Sequence, residues 1–187
     1  MNRKLISQGI IAKRIHKESF KSLKQVIALE GYHDDGKTSV LKMLIAELYR
    51  RDSKSWRKDR KYDPTMVKVS GSQCKGDYSA VFCYKGVFIA ITTGGDNPSV
   101  LAENFEFFAR YHAVVGITAV KVNAENETFL AATAFEQSEL IIGFKSRKID
   151  IRSRKLRDEQ SEMSVVNDII KALDLVVSEV KKETSNE

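Results

Sequence analysis

The sequence contains little of what marks metal-binding, membrane-spanning or low-complexity proteins. Its two cysteines, Cys74 and Cys83, fit no zinc-site spacing, and we expect reduced thiols with Cys83 buried in a strand. No apolar run approaches the ~18 residues of a membrane span. The N-terminus has no apolar core of signal-peptide length, and no stretch resembles a low-complexity linker. We therefore expect a cytoplasmic protein without membrane attachment.

The bulk composition is that of an ordinary globular domain. Of the 187 residues, 42% are hydrophobic and 30% are charged, which predicts one compact unit with a substantial core. The net charge of +6 favours anionic partners such as nucleotides, nucleic acid or acidic surfaces. The excess is concentrated in an N-terminal arm, in the run Arg50–Lys61 and in the run Lys145–Arg157.

Short apolar segments alternate with amphipathic ones along most of the chain. Strands are predicted over Gln25–Gly31, Met66–Ser70, Asp77–Tyr84, Gly86–Thr93, Ala113–Val122 and residues 140–146. Helices are predicted after residue 36, from Asn97-Pro98-Ser99, over residues 125–139 and near the C-terminus. This order predicts an α/β fold, a three-layer α/β/α sandwich whose mostly parallel sheet has one antiparallel hairpin strand. We expect a lead-in helix over residues 1–24 and a single domain over residues 25–187.

The stretch GYHDDGKTS connects the first predicted strand to the first predicted helix. Gly31 and Gly36 frame it, and glycine lets a backbone curl its N–H groups around an anion. The helix that follows offers unpaired N–H groups and the positive end of its dipole. In such a loop Lys37 contacts the outer phosphates, Thr38 coordinates Mg²⁺, and Ser39 adds a further hydrogen bond.

Four side chains inside this loop complete the predicted ligand contacts: Tyr32, His33, Asp34 and Asp35. The two aspartates are unusual there, because a carboxylate ~4 Å from a phosphate charge costs about 1 kcal/mol in water and more at lower dielectric. We expect both carboxylates to turn outward to solvent or toward Mg²⁺. Aspartate also tolerates the left-handed backbone that such a loop requires.

The segment IALEGYHDDGKTSVLKMLIAEL resembles the opening of the P-loop NTPase superfamily, with GYHDDGKT as its Walker A motif. It is most similar to thymidylate-kinase-like nucleotide kinases, although His33 replaces an aspartate and Asp34 a glycine of their pattern. The hairpin that ends in Thr92-Thr93-Gly94-Gly95-Asp96 resembles the order of elements in GTPases. A guanine-reading Asn-Lys-x-Asp is absent from the end of the following strand. The resemblance therefore implies ATP as the nucleotide, with Mg²⁺.

Three more side chains are predicted to reach the ligand. Asp96 follows a core strand at its carboxyl end, where it would hold Mg²⁺ or orient a nucleophile; the alternative is an N-cap or turn residue before the next helix. Arg152 and Arg154 lie in the second basic run, where they would clamp phosphates, form a nucleic-acid surface or simply be solvated.

These features predict an ATP-binding P-loop NTPase that carries out Mg-dependent phosphoryl transfer or hydrolysis, for example as a small-molecule or nucleotide kinase. Lys37 and Asp96 are its predicted catalytic residues. The alternative is a non-catalytic or slow nucleotide-sensing module that associates with nucleic acid or a protein partner. The basic runs and the absence of an obvious catalytic base favour that alternative.

Overall fold

The computed structural model describes residues 22–55, 65–71, 77–123, 126, 145–152, 154, 156 and 158–185. Within these residues the chain forms an α/β fold with six strands and three long helices. In chain order the elements are β1 (Gln25–Gly31), α1 (Lys37–Ser55), β2 (Thr65–Gly71), β3 (Tyr78–Tyr84), β4 (Val87–Thr92), α2 (Pro98–Arg110), β5 (Val115–Lys121), β6 (Lys145–Asp150) and α3 (Glu159–Ser185).

The six strands form one sheet in the order β2-β3-β4-β5-β1-β6. The pairs β4–β5, β5–β1 and β1–β6 are parallel, whereas β3 is antiparallel to both of its neighbours. Five strands therefore point one way, and the predicted mostly parallel sheet with one antiparallel hairpin strand is confirmed. Strand β1 lies inside the parallel part, since Gln25 is in register with Val115 on one side and Lys145 on the other.

Helices cover both faces of the sheet and create two separate cores. Every residue of β1 is buried, as expected for an apolar strand with helices on both faces. Alternate residues point to opposite sides: Ile27 packs with the apolar stripes of α1 and α3, whereas Val26 packs with α2. The predicted three-layer arrangement is thus present, with the C-terminal stripe of α3 buried as expected: Val166, Ile169, Ile170, Leu173, Val176, Val177 and Val180.

Local signals fixed two junctions as predicted. Lys85 and Gly86 join β3 to β4 with φ angles of +50° and +79°, the left-handed pair that a two-residue hairpin turn requires. Helix α2 begins where Asn97 accepts the N–H groups of Ser99 (3.0 Å) and Val100 (3.1 Å) through Oδ1. Pro98 occupies the first helical position, where its missing N–H costs nothing.

The prediction for the second basic run was wrong. Residues 147–150 were expected to follow the last strand in a charged segment, but together with residues 145 and 146 they form β6, which pairs in parallel with β1. Their sequence, KSRKID, lacks an apolar run because β6 is an edge strand, and charge is tolerated on edge strands. Of the strand predicted over residues 140–146, residues 140–144 lie outside the described part of the chain.

Several smaller expectations also need correction or fall outside the described residues. His112 lies beyond the end of α2, exposed and with φ at +50°, and is not a helix residue. Cys83 is in β3 but only half-buried. Residues 1–21 of the predicted lead-in helix lie outside the described part of the chain, and residues 22–24 are not helical. Cys74 and nearly all of the helix predicted over residues 125–139 lie outside the description. Among the described helices, none is long and apolar enough to cross a membrane.

Candidate functional site

A pocket of about 360 Å³ opens at the C-terminal ends of the parallel strands. The loop after β1, the start of α1, the residue before β3 and the turn after β4 contribute its walls. The lining residues are His33, Asp34, Gly36, Lys37, Thr38, Ser39, Asp77, Thr93, Gly94, Gly95, Asp96 and Ala119. The carboxyl ends of parallel strands are where open α/β sheets collect ligands.

The loop from Gly31 to Gly36 has a left-handed backbone at two positions. Asp34 and Gly36 both adopt left-handed φ angles, +64° and +81°. The first helical bond of α1 runs from the Val40 N–H to the Gly36 carbonyl (2.9 Å), so the N–H groups of residues 36–39 precede the helical ladder. These amides and the positive end of a 19-residue helix stand at the pocket.

Lys37 places a buried amine at the same point. Its side chain is only 7% exposed, and Nζ donates to the carbonyls of Gly31 (3.1 Å) and Tyr32. Burial lowers the pKa of Lys37, while the nearby carboxylates of Asp35 and Asp96 act in the opposite direction. The amine is therefore held inside the loop by two main-chain carbonyl oxygens.

The two loop aspartates have different orientations. The Asp34 side chain is 87% exposed and pairs with His33 (Nδ1 to Oδ2, 2.7 Å), so the expectation that it turns outward is confirmed. Asp35 turns inward instead: its Oδ2 accepts the Tyr32 N–H at 2.5 Å and lies against Gly31. Asp35 therefore does not turn outward to solvent, because it accepts a backbone N–H of its own loop; its alternative orientation toward Mg²⁺ stays a prediction.

The turn after β4 forms the opposite wall. Thr38 donates its hydroxyl to the carbonyl of Thr93 (3.3 Å), which connects α1 to this turn. Gly95 lies so close to β5 that a Cβ there would be 1.7 Å from the carbonyl oxygen of Ala119. Asp96 follows, exposed at the pocket. Because Asn97 caps α2, Asp96 is not the N-cap; it is a bend residue before the helix, as the other part of that alternative has it, and it also lines the pocket.

Buried hydroxyl and amide groups hold this turn in place. Asn104 donates from Nδ2 to the carbonyl of Gly94 (2.8 Å) and to the Thr118 hydroxyl (2.9 Å). The Thr92 hydroxyl lies 3.1 Å from that of Thr118, which also contacts the Gly94 carbonyl (3.2 Å). All three side chains are at most 8% exposed, so each bond replaces one lost to water.

The sequence prediction missed Asp77, the residue just before β3. Asp77 lines the pocket, accepts a bond from the Thr93 hydroxyl (3.4 Å) and packs its carboxylate against Gly94. The signal for it was present in the sequence. Counting back from the Lys85-Gly86 turn places Asp77 opposite Gly94, because the hairpin has no shift in register.

The predicted arginines lie near the loop but are not part of the pocket lining. Arg152 forms a bidentate pair with Asp150, and Arg154 binds Asp168 (2.7 Å). The Asp150 pair lowers the pKa of that carboxyl to about 2. Gly31, Tyr32 and Asp35 are likewise outside the lining, although Gly31 and Tyr32 bind Lys37 through their carbonyls.

The metal ligands expected from the sequence, Thr38 and Asp96, both line the pocket. In the part of the chain that the structure describes, no group of three or more His, Cys, Asp or Glu side chains could hold a metal by itself. Mg²⁺ usually keeps several waters and binds through one or two protein carboxylates together with substrate phosphates.

Comparison with protein-family models, with curated proteins and with solved structures gave no match. The fold and the pocket therefore define the class to which the chain is assigned: a three-layer α/β protein with a polar pocket at the carboxyl edge of a parallel sheet.

Proposed function

We propose that this pocket binds the polyphosphate of a nucleoside triphosphate, ATP by preference, together with Mg²⁺, and that the chain is a P-loop NTPase. The observation that carries the proposal is the buried Lys37 amine beside the open N-terminus of α1, in a pocket of about 360 Å³. A buried ammonium and a set of helix N-terminal amides both favour an anion, and here they favour it at the same place.

Lys37 is suited to exchange its partners when phosphate arrives. The desolvated amine is bonded to two neutral carbonyls, and burial lowers its pKa. A phosphate oxygen would offer the negative charge that those carbonyls lack, so binding would favour the protonated amine. The amine then contributes a point charge to the outer phosphates.

Thr38 and Asp96 are the residues that would hold Mg²⁺, with phosphate oxygens completing the coordination. The ion would neutralise charge on the phosphates. The Thr38 hydroxyl also donates to the Thr93 carbonyl, so the same hydroxyl connects both walls of the pocket. Nucleotide binding would thereby be coupled to the position of the turn after β4.

Asp96 and Asp77 are the two carboxylates beside that turn, and either would accept a proton or orient an attacking water or acceptor hydroxyl. The reaction would be phosphoryl transfer or hydrolysis, driven by positioning and charge neutralisation. The negative charge of Asp35 near Lys37 supports a slow version, a nucleotide sensor, because it opposes phosphate at that amine.

Titration calorimetry with ATP, GTP and tripolyphosphate, each with and without Mg²⁺, tests the proposal. We expect Mg-ATP to bind wild-type protein and Lys37→Ala to weaken binding at least tenfold. Lys182→Ala, which removes an exposed lysine from the last turn of α3, should leave affinity unchanged. Failure of all three ligands to bind at millimolar concentration would refute it.

Turnover separates the enzyme from the sensor. A phosphate-release assay on the same proteins should show hydrolysis that depends on Asp96 and is lost in Asp96→Asn. Tight Mg-ATP binding with no release in wild-type protein would assign the chain to the sensing version. Salt-dependent nucleic-acid binding that persists in Lys37→Ala would instead show that the basic surfaces act independently of the pocket.

A further inference from the structure

An exposed aromatic ring stands beside the loop, on the side away from β4. Tyr32 is 54% exposed, an unusual position for a large ring that follows directly on a buried strand. The Arg152 guanidinium carbon lies 6.0 Å from the centre of this ring. Arg152 comes from the end of β6, which is the edge strand next to β1, so the two residues meet across neighbouring strand ends.

Besides the side-chain hydrogen bond between them, both partners are anchored by bonds to other groups. The Tyr32 backbone is held twice within the loop, since its N–H binds Asp35 and its carbonyl accepts from Lys37. Asp150 fixes Arg152 through its backbone N–H (2.9 Å) and through Nε (2.9 Å). Because these contacts limit the freedom of both residues, a planar ligand would meet a largely preformed surface.

The Tyr32–Arg152 surface lies next to the pocket, on the side where the base of a bound nucleotide would extend. The Tyr32 carbonyl accepts a hydrogen bond from the Lys37 amine. The turn after β4, which carries Asp96, lies on the other side of β1, beyond β5. If the phosphates of a nucleotide bind at Lys37, the outermost phosphate would lie near Asp96. The rest of the nucleotide would extend toward β6. A nucleotide extends from its charged phosphates to a flat aromatic base, and Tyr32 offers a flat aromatic partner on that side.

We propose that Tyr32 and Arg152 form the subsite for the nucleobase, with the base stacked on the Tyr32 ring and the guanidinium of Arg152 at its edge. This inference rests on the proposed function of the pocket. Stacking tolerates any base, and a guanidinium edge donates hydrogen bonds to acceptor atoms on the base. The chain would then gain affinity for a nucleotide over bare polyphosphate mainly at Tyr32.

Calorimetry on Tyr32→Ala with two ligands, Mg-ATP and Mg-tripolyphosphate, tests this subsite. We expect ATP affinity to fall roughly 5- to 150-fold, the loss of one base–aromatic stack, while tripolyphosphate affinity is unchanged. Tyr32→Phe, which keeps the ring, should bind ATP like wild-type protein. Tyr49→Ala is the matched control, because Tyr49 is 52% exposed on α1, about 18 Å along the helix from Lys37.

The two proposals fail in different ways. Equal losses of ATP and tripolyphosphate affinity in Tyr32→Ala would overturn the base subsite, because they would indicate a damaged loop. So would unchanged ATP affinity in Tyr32→Ala, although tripolyphosphate binding by wild-type protein would then still support the phosphate pocket. Wild-type protein that binds neither ligand would overturn both. A smaller loss of ATP affinity in Arg152→Gln than in Tyr32→Ala would support the assigned roles.

Discussion

The carboxylate of Asp35 accepts the backbone N–H of Tyr32, with 2.5 Å between Oδ2 and N. The bond closes the loop on itself beside the pocket, next to the residues that line it. Among the carboxylates that raise the pKa of Lys37 against the effect of burial, Asp35 acts most strongly. A negative charge this close to Lys37 opposes the approach of a second anion, so Asp35 would weaken phosphate binding at the proposed site.

Asp35→Asn should raise affinity for polyphosphate. The amide removes one negative charge from the loop interior and still offers an oxygen to the Tyr32 N–H. We expect tripolyphosphate to bind about fivefold more tightly or better, from the ~1 kcal/mol of repulsion between charges ~4 Å apart in water. Asp34→Asn removes the same charge from an exposed position and should have a smaller effect. Equal gains in both variants would mean that only net charge matters.

Gly95→Ala should disrupt the pocket. A Cβ at Gly95 would be 1.7 Å from the Ala119 carbonyl oxygen, so the turn after β4 has to move away from β5. We expect ATP binding to be lost, together with a stability loss of about 3 kcal/mol or more. Gly86→Ala provides the comparison, because its Cβ meets no atom within 4 Å and only the left-handed φ is strained. Urea unfolding with calorimetry on both variants measures the difference.

Thr118→Val should destabilise the fold and shift the same turn. The substitution leaves the Asn104 amide and the Thr92 hydroxyl short of a buried partner, which costs about 1–3 kcal/mol. Thr118→Ser keeps the hydroxyl and should retain most of the stability. If valine were as stable as serine at this position, the buried network would not be what holds Gly94 in place.

Glu47 should contribute stability that disappears in acid. Its buried carboxylate binds Arg50 (2.6 Å) and Arg51 (2.8 Å), and the Arg50 bond is the main reason that its pKa falls from 4.5 to about 2. A lowered carboxylate pKa stabilises the fold above the unfolded-state value, and that contribution is lost as pH falls from 4.5 toward 2.

Glu47→Gln tests this contribution. The variant should be about 1–2 kcal/mol less stable than wild-type protein at pH 7, a range that allows for solvent screening of the half-exposed arginines. The gap should close near pH 2, as measured by urea unfolding at several pH values. Asp150→Asn, which breaks an ion pair between exposed side chains, should change stability less. A gap that stayed constant with pH would exclude the ion pairs as its cause.

Local patterns in the chain were enough to predict much of the fold. Seven consecutive buried residues in β1, the glycine-framed loop and the stripe of α1 are adjacent in sequence, so their signals reinforce one another. The Lys85-Gly86 turn likewise fixes its hairpin register, because only a left-handed pair closes a two-residue turn. The grouping of Lys37, Thr38 and Asp96 at one pocket followed from the rule that parallel strands end at one edge.

Only the tertiary structure decided the features that depend on distant partners. Strand β6 is a strand because the β1 edge supplies its hydrogen bonds, and its charged sequence gives no such indication. The insertion of β5 between β1 and β4 is a choice of pairing that periodicity does not encode. The inward turn of Asp35 depends on which amide remains unpaired after the loop closes. Sequence determines such features only through contacts that exist once the chain has folded, so they have no local signature to read.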